Sequence, residues 1–450
     1  MVNPNPHKVL EQAQKLHLSH QHDAATAAYR RYLILQPKHA AAWADLGDLL
    51  LLMGRLDEAC EACDRALALD PRNMKARLAL AETLVRKVDL NRAAAILGEA
   101  LRQDPDNPAI RTALEAVLFS PGKVYDPIAA YKCYFGVDPP VEKRWDIACQ
   151  NLLSGHMHLG WEQYESRWDV PNTERRPKEL MLAQAQWKGE SFAGKTLLLR
   201  WEQGQGDVIM FVRYAPLVKA RGGRVLLEVI EPLADLVATC RGIDEVIKHG
   251  DPLPPFDLQL PLLSLPRIFQ TDLDSIPADI PYLSIPARVP HREGIDKILA
   301  ATEGHTRVGL VWAGNPKHSR DAERSIPPAL LKPLEALPVA WHSFQVEQGR
   351  EMPFRRIIPM GPVLRGSFAD TAYAVSAMDL VITVDTSTAH LAGALGIPTF
   401  LLIAAFPDWR WLMDRDDSPW YPSFRIYRQS EVGNWTSIIE QVVAELSSCG

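Results

Sequence analysis

The sequence predicts an α + α/β protein, a helical solenoid followed by two α/β halves. Three observations carry this. Prolines recur every 34 residues through the first third of the chain. From residue 196 onward, short apolar runs alternate with helical stretches. A Pro-rich segment at 276–291 interrupts that alternation, which then resumes.

The repeat comes first. Pro37, Pro71 and Pro105 each close a helical pattern, in "LQPKH", "LDPRN" and "QDPDN". A period of 34 marks the tetratricopeptide repeat. The copy from Ala40 to Asn73 fits best, with Trp43, Leu46, Gly47, Leu50, Ala59, Cys63, Ala66 and Pro71 at the expected spacing. The copy before it keeps Ala13, Ala25, Tyr29 and Pro37; the copy after it keeps Leu80, Ala81, Leu84, Ala93, Ala100 and Pro105. Small residues let paired helices cross closely, and large apolar ones fill the space between repeats. Pro139 continues the count, but the surrounding stretch is too rich in Pro and Gly for a clean repeat. The following "RWDIACQNLLSGHMHLGWEQYESRW" reads as a degenerate hairpin capping the stack, so the solenoid is assigned to residues 1–170.

The α/β part follows. Runs at 196–201, 224–230, 244–250 and 256–262 read as strands, with helices such as "DVIMFVRYAPLVKARG" and "PLADLVATCRG" between them. After the Pro-rich crossing, further strands are expected at 307–314, 339–345, 379–384 and 399–403. The halves are set at 180–288 and 289–450. Two such halves offer a cleft between the carboxyl ends of their sheets.

Bulk properties narrow the function. The 450 residues are 47% apolar and 23% charged, with a net charge of −6. That balance excludes a general nucleic-acid binder, which needs a basic surface. Six cysteines suggest no disulfide framework, and no secretory signal is visible at the start, so a cytoplasmic location is expected. The oily stretch "VITVDTSTAHLAGALGIPTFLL" (381–402) is long enough for a membrane span, but Asp385, His390, Gly393, Gly396 and Pro398 argue for strand–helix–strand. "CEAC" at 60–63 has metal-like spacing, yet it falls at packing positions of a repeat helix.

Three clusters carry the chemistry. In "LLLRWEQGQGDVIMF" a strand runs into Gly204 and Gly206, then Asp207 and a helix. Glycines there admit a ligand to the backbone, or Asp207 simply caps the helix. In the second cluster Asp385 ends a strand and Thr386 and Ser387 open a helix, whose free amides suit a phosphate. His390 lies one turn on and either faces that ligand or is a buried core histidine. The third is "VWAGNPKHSRDAERSIP", where Gly314, Asn315, Lys317, His318, Arg320 and Arg324 form a basic loop suited to a diphosphate, or merely a solvated one.

Together these clusters resemble the heptosyltransferases, glycosyltransferase family 9. "GDV" at 206–208 and "DTSTAHLAGALGIPT" at 385–399 match that family's two blocks over roughly residues 190–450. With "RSIP" and "PDWRWLMDRDDSPWYP", the whole chain looks like bacterial tetratricopeptide proteins bearing such a domain. The resemblance implies a GT-B architecture of two Rossmann-like domains, the first on the acceptor side and the second on the nucleotide-sugar side. It implies a nucleotide-sugar donor, no cofactor and no required metal. By position, Asp207 matches the general base, Thr386, Ser387 and His390 the donor-diphosphate region, and Arg324 a basic residue of the family. Ser387 departs from the family's glycine.

The expected function is therefore transfer of a sugar from a nucleotide-sugar to an acceptor hydroxyl on a protein or peptide held by the repeats. Asp207 is expected to be catalytic. Gly204, Gly206, Gly314, Asn315, Lys317, Arg324, Asp385, Thr386, Ser387 and His390 are expected to bind the donor. The alternatives are a non-catalytic scaffold with a degenerate GT-B domain, and a nucleotide-sugar epimerase.

Overall fold

A computed structural model describes residues 5–119, 127–140, 143–168, 183–318, 320–346, 351–364 and 366–448. It divides into two compact units, Met1–Ile147 with Ser430–Val432, and Ala148–Gln429 with Gly433–Gly450.

The first unit is built from helical hairpins. First helices begin at Pro6, Ala40, Met74 and Pro108, and second helices at His22, Leu56 and Leu90, each series in steps of 34. Starts are set locally: Asn5, Asn73, Asp89 and Asn107 accept hydrogen bonds from first-turn amides. Close crossings are set by the small residues. A side chain at Gly47 would put its Cβ 2.4 Å from Cys63 Sγ, so the glycine lets the two helices of that hairpin approach. Cys60 and Cys63 are both buried in this packing, and burial pushes the Cys63 thiol up to about 12. A fourth hairpin, beyond the three copies read from the sequence, pairs Pro108–Leu118 with Pro127–Phe135, whose Tyr134 fills the space left by Gly98.

The helical pair after Pro139 divides differently from the boundary drawn at residue 170. Arg144–Leu153 straddles the two units, and Met157–Tyr164 belongs to the second. There Trp161 packs edge-on against Phe211, Trp409 and Trp420, and its indole N–H donates to the Thr271 carbonyl at 3.1 Å. Burying this large amphipathic side chain against the α/β core, with its one donor satisfied, fixes the segment there. Residues 170–180, between the bounds assigned to the solenoid and to the first α/β half, lie outside the described residues.

The second unit holds two parallel sheets. The first contains β1 (Ala185–Gln186), β2 (Thr196–Arg200), β3 (Arg224–Val229), β4 (Glu245–Lys248) and β5 (Leu258–Pro261), in the order β1-β5-β2-β3-β4. The second contains β6 (Arg307–Val311), β7 (Ala340–Ser343), β8 (Ile358–Pro359), β9 (Leu380–Val384), β10 (Thr399–Ile403) and β11 (Phe424–Arg428), in the order β11-β10-β9-β6-β7-β8. All pairs are parallel, so the central strands are buried on both faces and read as unbroken apolar runs. Leu197, Leu198 and Leu199 of β2 and Val381, Ile382 and Val384 of β9 are fully buried.

The eight strands expected from the sequence all form; the short β1 and β8 and the edge strand β11 were not expected. The described residues form a repeat solenoid followed by a pair of parallel Rossmann-like sheets. The oily stretch at 381–402 folds as β9, helix Ser387–Leu395 and β10, and Gly396 ends the helix at φ 77°. Among the described residues no helix is long and apolar enough to cross a membrane.

Candidate active site

Strand order locates the crevices. In the first sheet the chain steps outward from β2 through β3 to β4, then returns to β2's other side as β5. In the second it steps from β6 through β7 to β8, then resumes at β9 on β6's other side. Ligands of open α/β sheets bind at such reversals, beyond the carboxyl ends of the strands. The loops there carry the candidate residues: Asp207 beyond β2, Arg324 beyond β6, and Asp385 to Ser387 beyond β9.

Asp207 sits in the first turn of helix Gln205–Phe211. Its Oδ2 accepts the Gly204 amide at 2.7 Å, which is the helix-cap role weighed for it, and its Oδ1 is ion-paired with Arg410. Burial raises its pKa, opposed by Arg410 and the Gly204 amide. Gly206 serves a different approach from the one expected. A Cβ there would lie 2.6 Å from the His390 ring and 3.5 Å from Ser387 Cα. The missing side chain thus brings helix Gln205–Phe211 against helix Ser387–Leu395 and joins the two halves.

His390 is buried in the first turns of helix Ser387–Leu395. Its Nδ1 is 2.9 Å from the Tyr421 hydroxyl and its ring stacks on Trp411 at 5.3 Å. Burial, reinforced by Arg410, lowers its pKa to about 3, so the ring is neutral. Thr386 is the residue before the helix, yet its side chain caps none of the helix amides; its hydroxyl meets Thr383 Oγ1 at 3.2 Å. The Ala389 and His390 amides donate to the Thr386 carbonyl at 3.1 and 3.4 Å, and the Thr386 side chain caps neither of the two amides before them, those of Ser387 and Thr388.

Arg324 reaches this tip from the other side: its Nη1 donates to the Asp385 carbonyl at 3.0 Å. Gly314 makes room for it, because a Cβ there would lie 2.4 Å from the Arg324 guanidinium. Asn315 and Lys317 are exposed, and Asn315 Oδ1 accepts the Lys317 amide in a local turn. Burial and the neighbouring Asp408 raise the Asp385 carboxyl to about 6, against the pull of Arg324 and Arg410.

Residues the sequence reading did not single out complete the cluster. Arg410 lies beyond β10 and pairs with Asp207 through Nη2 and with Asp408 through Nη1, at 2.7 Å for the second. Burial works against the Asp408 charge, but Arg410 holds its pKa below the ordinary value. Behind the β2 loop, Arg167 grips Glu202 with two bonds of 2.9 Å, both side chains being essentially inaccessible. Arg213 donates to the Trp420 carbonyl at 2.8 Å and the Tyr282 hydroxyl at 2.9 Å, a second tie between the halves. The available signal was the run "PDWRWLMDRDDSPWYP", in which acidic and basic residues alternate with tryptophans in a loop.

Comparison with known proteins finds similarities in both parts of the chain. Residues 6–139 match the tetratricopeptide domain of cytochrome c-type biogenesis protein H. Over 324 residues the chain is 28% identical to protein FlbA of Caulobacter vibrioides, covering 66% of this chain and 53% of that protein. It thus spans about half the length of the curated relative it matches. Among solved structures it is similar to a family 9 glycosyltransferase of Veillonella parvula, with 12% identity, a TM-score of 0.44, and coverage of 58% of this chain and 99% of that one. The repeats are similar to the Yersinia enterocolitica secretion chaperone SycD in complex with a YopD peptide, at 19% identity and a TM-score of 0.24, over 25% of this chain and 90% of that one.

Proposed function

We propose that this chain is a glycosyltransferase that moves a sugar from a nucleotide-sugar to a hydroxyl of a polypeptide held by the repeats. One observation carries the reading. Asp207 and the uncapped tip of helix Ser387–Leu395 lie together where both sheets reverse their strand order. That juxtaposition offers an acid–base group beside an anion site, the two requirements of transfer from a nucleoside diphosphate.

In the proposed step the acceptor oxygen attacks the anomeric carbon. Its proton passes to Asp207. The bond from the anomeric carbon to the diphosphate breaks, and the electron pair leaves with the diphosphate oxygen. The first-turn amides beyond Thr386, with Arg324, meet the charge that develops there. Attack from the face opposite the leaving group inverts the anomeric centre, and protein groups supply the leaving-group stabilisation without a metal. Residues 180–288 form the acceptor side and residues 289–450 the donor side.

A second reading has its own support. Both Asp207 oxygens are already engaged, and Ser387 stands where the resembled family has glycine. That favours a scaffold whose GT-B part only binds. Titration of the full chain with UDP-, GDP-, ADP- and CMP-sugars separates the two, followed by intact-mass measurement of candidate acceptors. Donor binding with a sugar-sized mass gain on a polypeptide supports transfer. Binding by no donor supports the scaffold, and donor consumed without acceptor points to an epimerase.

A further inference from the structure

Arg410 holds an unusual position. One guanidinium bridges the two halves, pairing with Asp207 beyond β2 and with Asp408 beyond β10. Its side chain is 8% exposed and stacks on Trp409, with Cζ 4.1 Å from the ring centroid. Its Nε is buried and has no hydrogen-bond partner, which is costly for a cationic donor. Asp385 and His390, which flank the helix tip, both lie within its electrostatic reach. The charged groups around it are Asp207, Asp408, Asp385 and the guanidinium of Arg324.

We infer that Arg410 is the cation that receives the donor's diphosphate, and that at rest it latches Asp207. The inference rests on the transfer reading and supplies what that reading lacks. A carboxylate whose Oδ2 accepts the Gly204 amide and whose Oδ1 is ion-paired with a guanidinium is a weaker base toward an acceptor proton than the same carboxylate released from the guanidinium. A guanidinium presents its N–H groups as a planar fork that suits phosphate oxygens, and a diphosphate carries more charge than one carboxylate. Arg410 turning from Asp207 to the diphosphate frees Oδ1, meets the leaving group's charge and gives the idle Nε a partner. Donor therefore binds before acceptor, and the base is masked until the donor is seated.

The test is calorimetric titration of the full chain with inorganic pyrophosphate, UDP, GDP and ADP. It compares the wild type with Asp207→Asn, Arg410→Gln and Arg410→Lys. Asp207→Asn releases Arg410 from a competing charge, so it tightens diphosphate binding about tenfold, because the competent state is no longer a minor fraction. Arg410→Gln weakens binding about 30-fold or more, and Arg410→Lys falls between. Binding unchanged or weakened in Asp207→Asn overturns the latch. Arg410→Gln binding like the wild type overturns the assignment, as does binding of no probe by either the wild type or Asp207→Asn. Should Arg410→Gln fail to fold in a thermal melt, the Asp207→Asn and Arg410→Lys comparisons decide. The expected binding pattern in a chain that transfers no sugar keeps the Arg410 assignment and discards transfer. Transfer with undiminished binding in Arg410→Gln does the reverse.

Discussion

The repeats and the α/β unit use the same ion-pair chemistry at opposite depths. In the repeats, Arg30 meets Glu58, Lys87 meets Asp57 and Arg92 meets Asp64, with at least one partner of each pair well exposed. Such pairs trade one hydrated state for another and are worth about 0–1 kcal/mol. In the α/β unit, Arg167–Glu202, Arg200–Glu228 and Arg410–Asp207 are buried or nearly so. There each charge depends on its partner, because removing one leaves the other desolvated. Charges in the repeats decorate a helical stack that apolar packing already holds. The named charges in the α/β unit tie strands, a helical turn and loops to one another, and the Arg410–Asp207 pair lies in the candidate site.

The contrast can be broken in steps of decreasing size. Glu202→Ala strips buried Arg167 of its two-bond partner and leaves it only Glu165, at 2.8 Å, and Ser264, so the α/β unit should lose about 3 kcal/mol in denaturant unfolding, the low end for breaking a buried pair. Gly206→Ala drives a methyl into the His390 ring, and the same measurement should show a loss of about 1–3 kcal/mol. A smaller loss there would mean that the two helices can part, which weakens the close-approach account.

Next in size is a pH effect. The folded state raises the Asp385 carboxyl to about 6, so its contribution is full below its unfolded value and is lost as pH rises through about 6. Asp408 runs the other way, because its folded pKa is lowered and its contribution disappears in acid. Because His390, held neutral with its pKa at about 3, changes stability in the opposite sense in both proteins, the difference in melting temperature between wild type and Asp385→Asn should fall from about pH 4 to 7. A difference that does not change with pH would place the titration elsewhere. The smallest effect belongs to the repeats. A double-mutant cycle on Lys87 and Asp57 should give a coupling of about 0–1 kcal/mol, and a value matching the Glu202 loss would erase the distinction between the regions.

The fold was legible because its signals are local. The 34-residue period placed the hairpin starts, and parallel strands buried on both faces showed as unbroken apolar runs. Strand β11, "FRIYR", escaped because it is an edge strand whose exposed Arg425 interrupts the apolar run. The site was legible only as loops. Gly206 was read as room for a ligand, whereas the space is filled by His390, a partner no local spacing reveals. Asp207 and Arg410 are 203 residues apart, and Arg167 and Glu202 come from opposite sides of an assumed domain boundary. Pairing over such distances depends on how the sheets dock, which hydrophobic periodicity does not encode.

The most direct test of the central claim is a side-by-side assay of wild type and Asp207→Asn with the nucleotide-sugar panel, reading both donor binding and mass gain on the acceptor. Sugar transfer through Asp207 predicts that the variant keeps or gains donor affinity while its turnover falls about 10²–10⁴-fold. Equal turnover in the two proteins, or no donor bound by either, would contradict it.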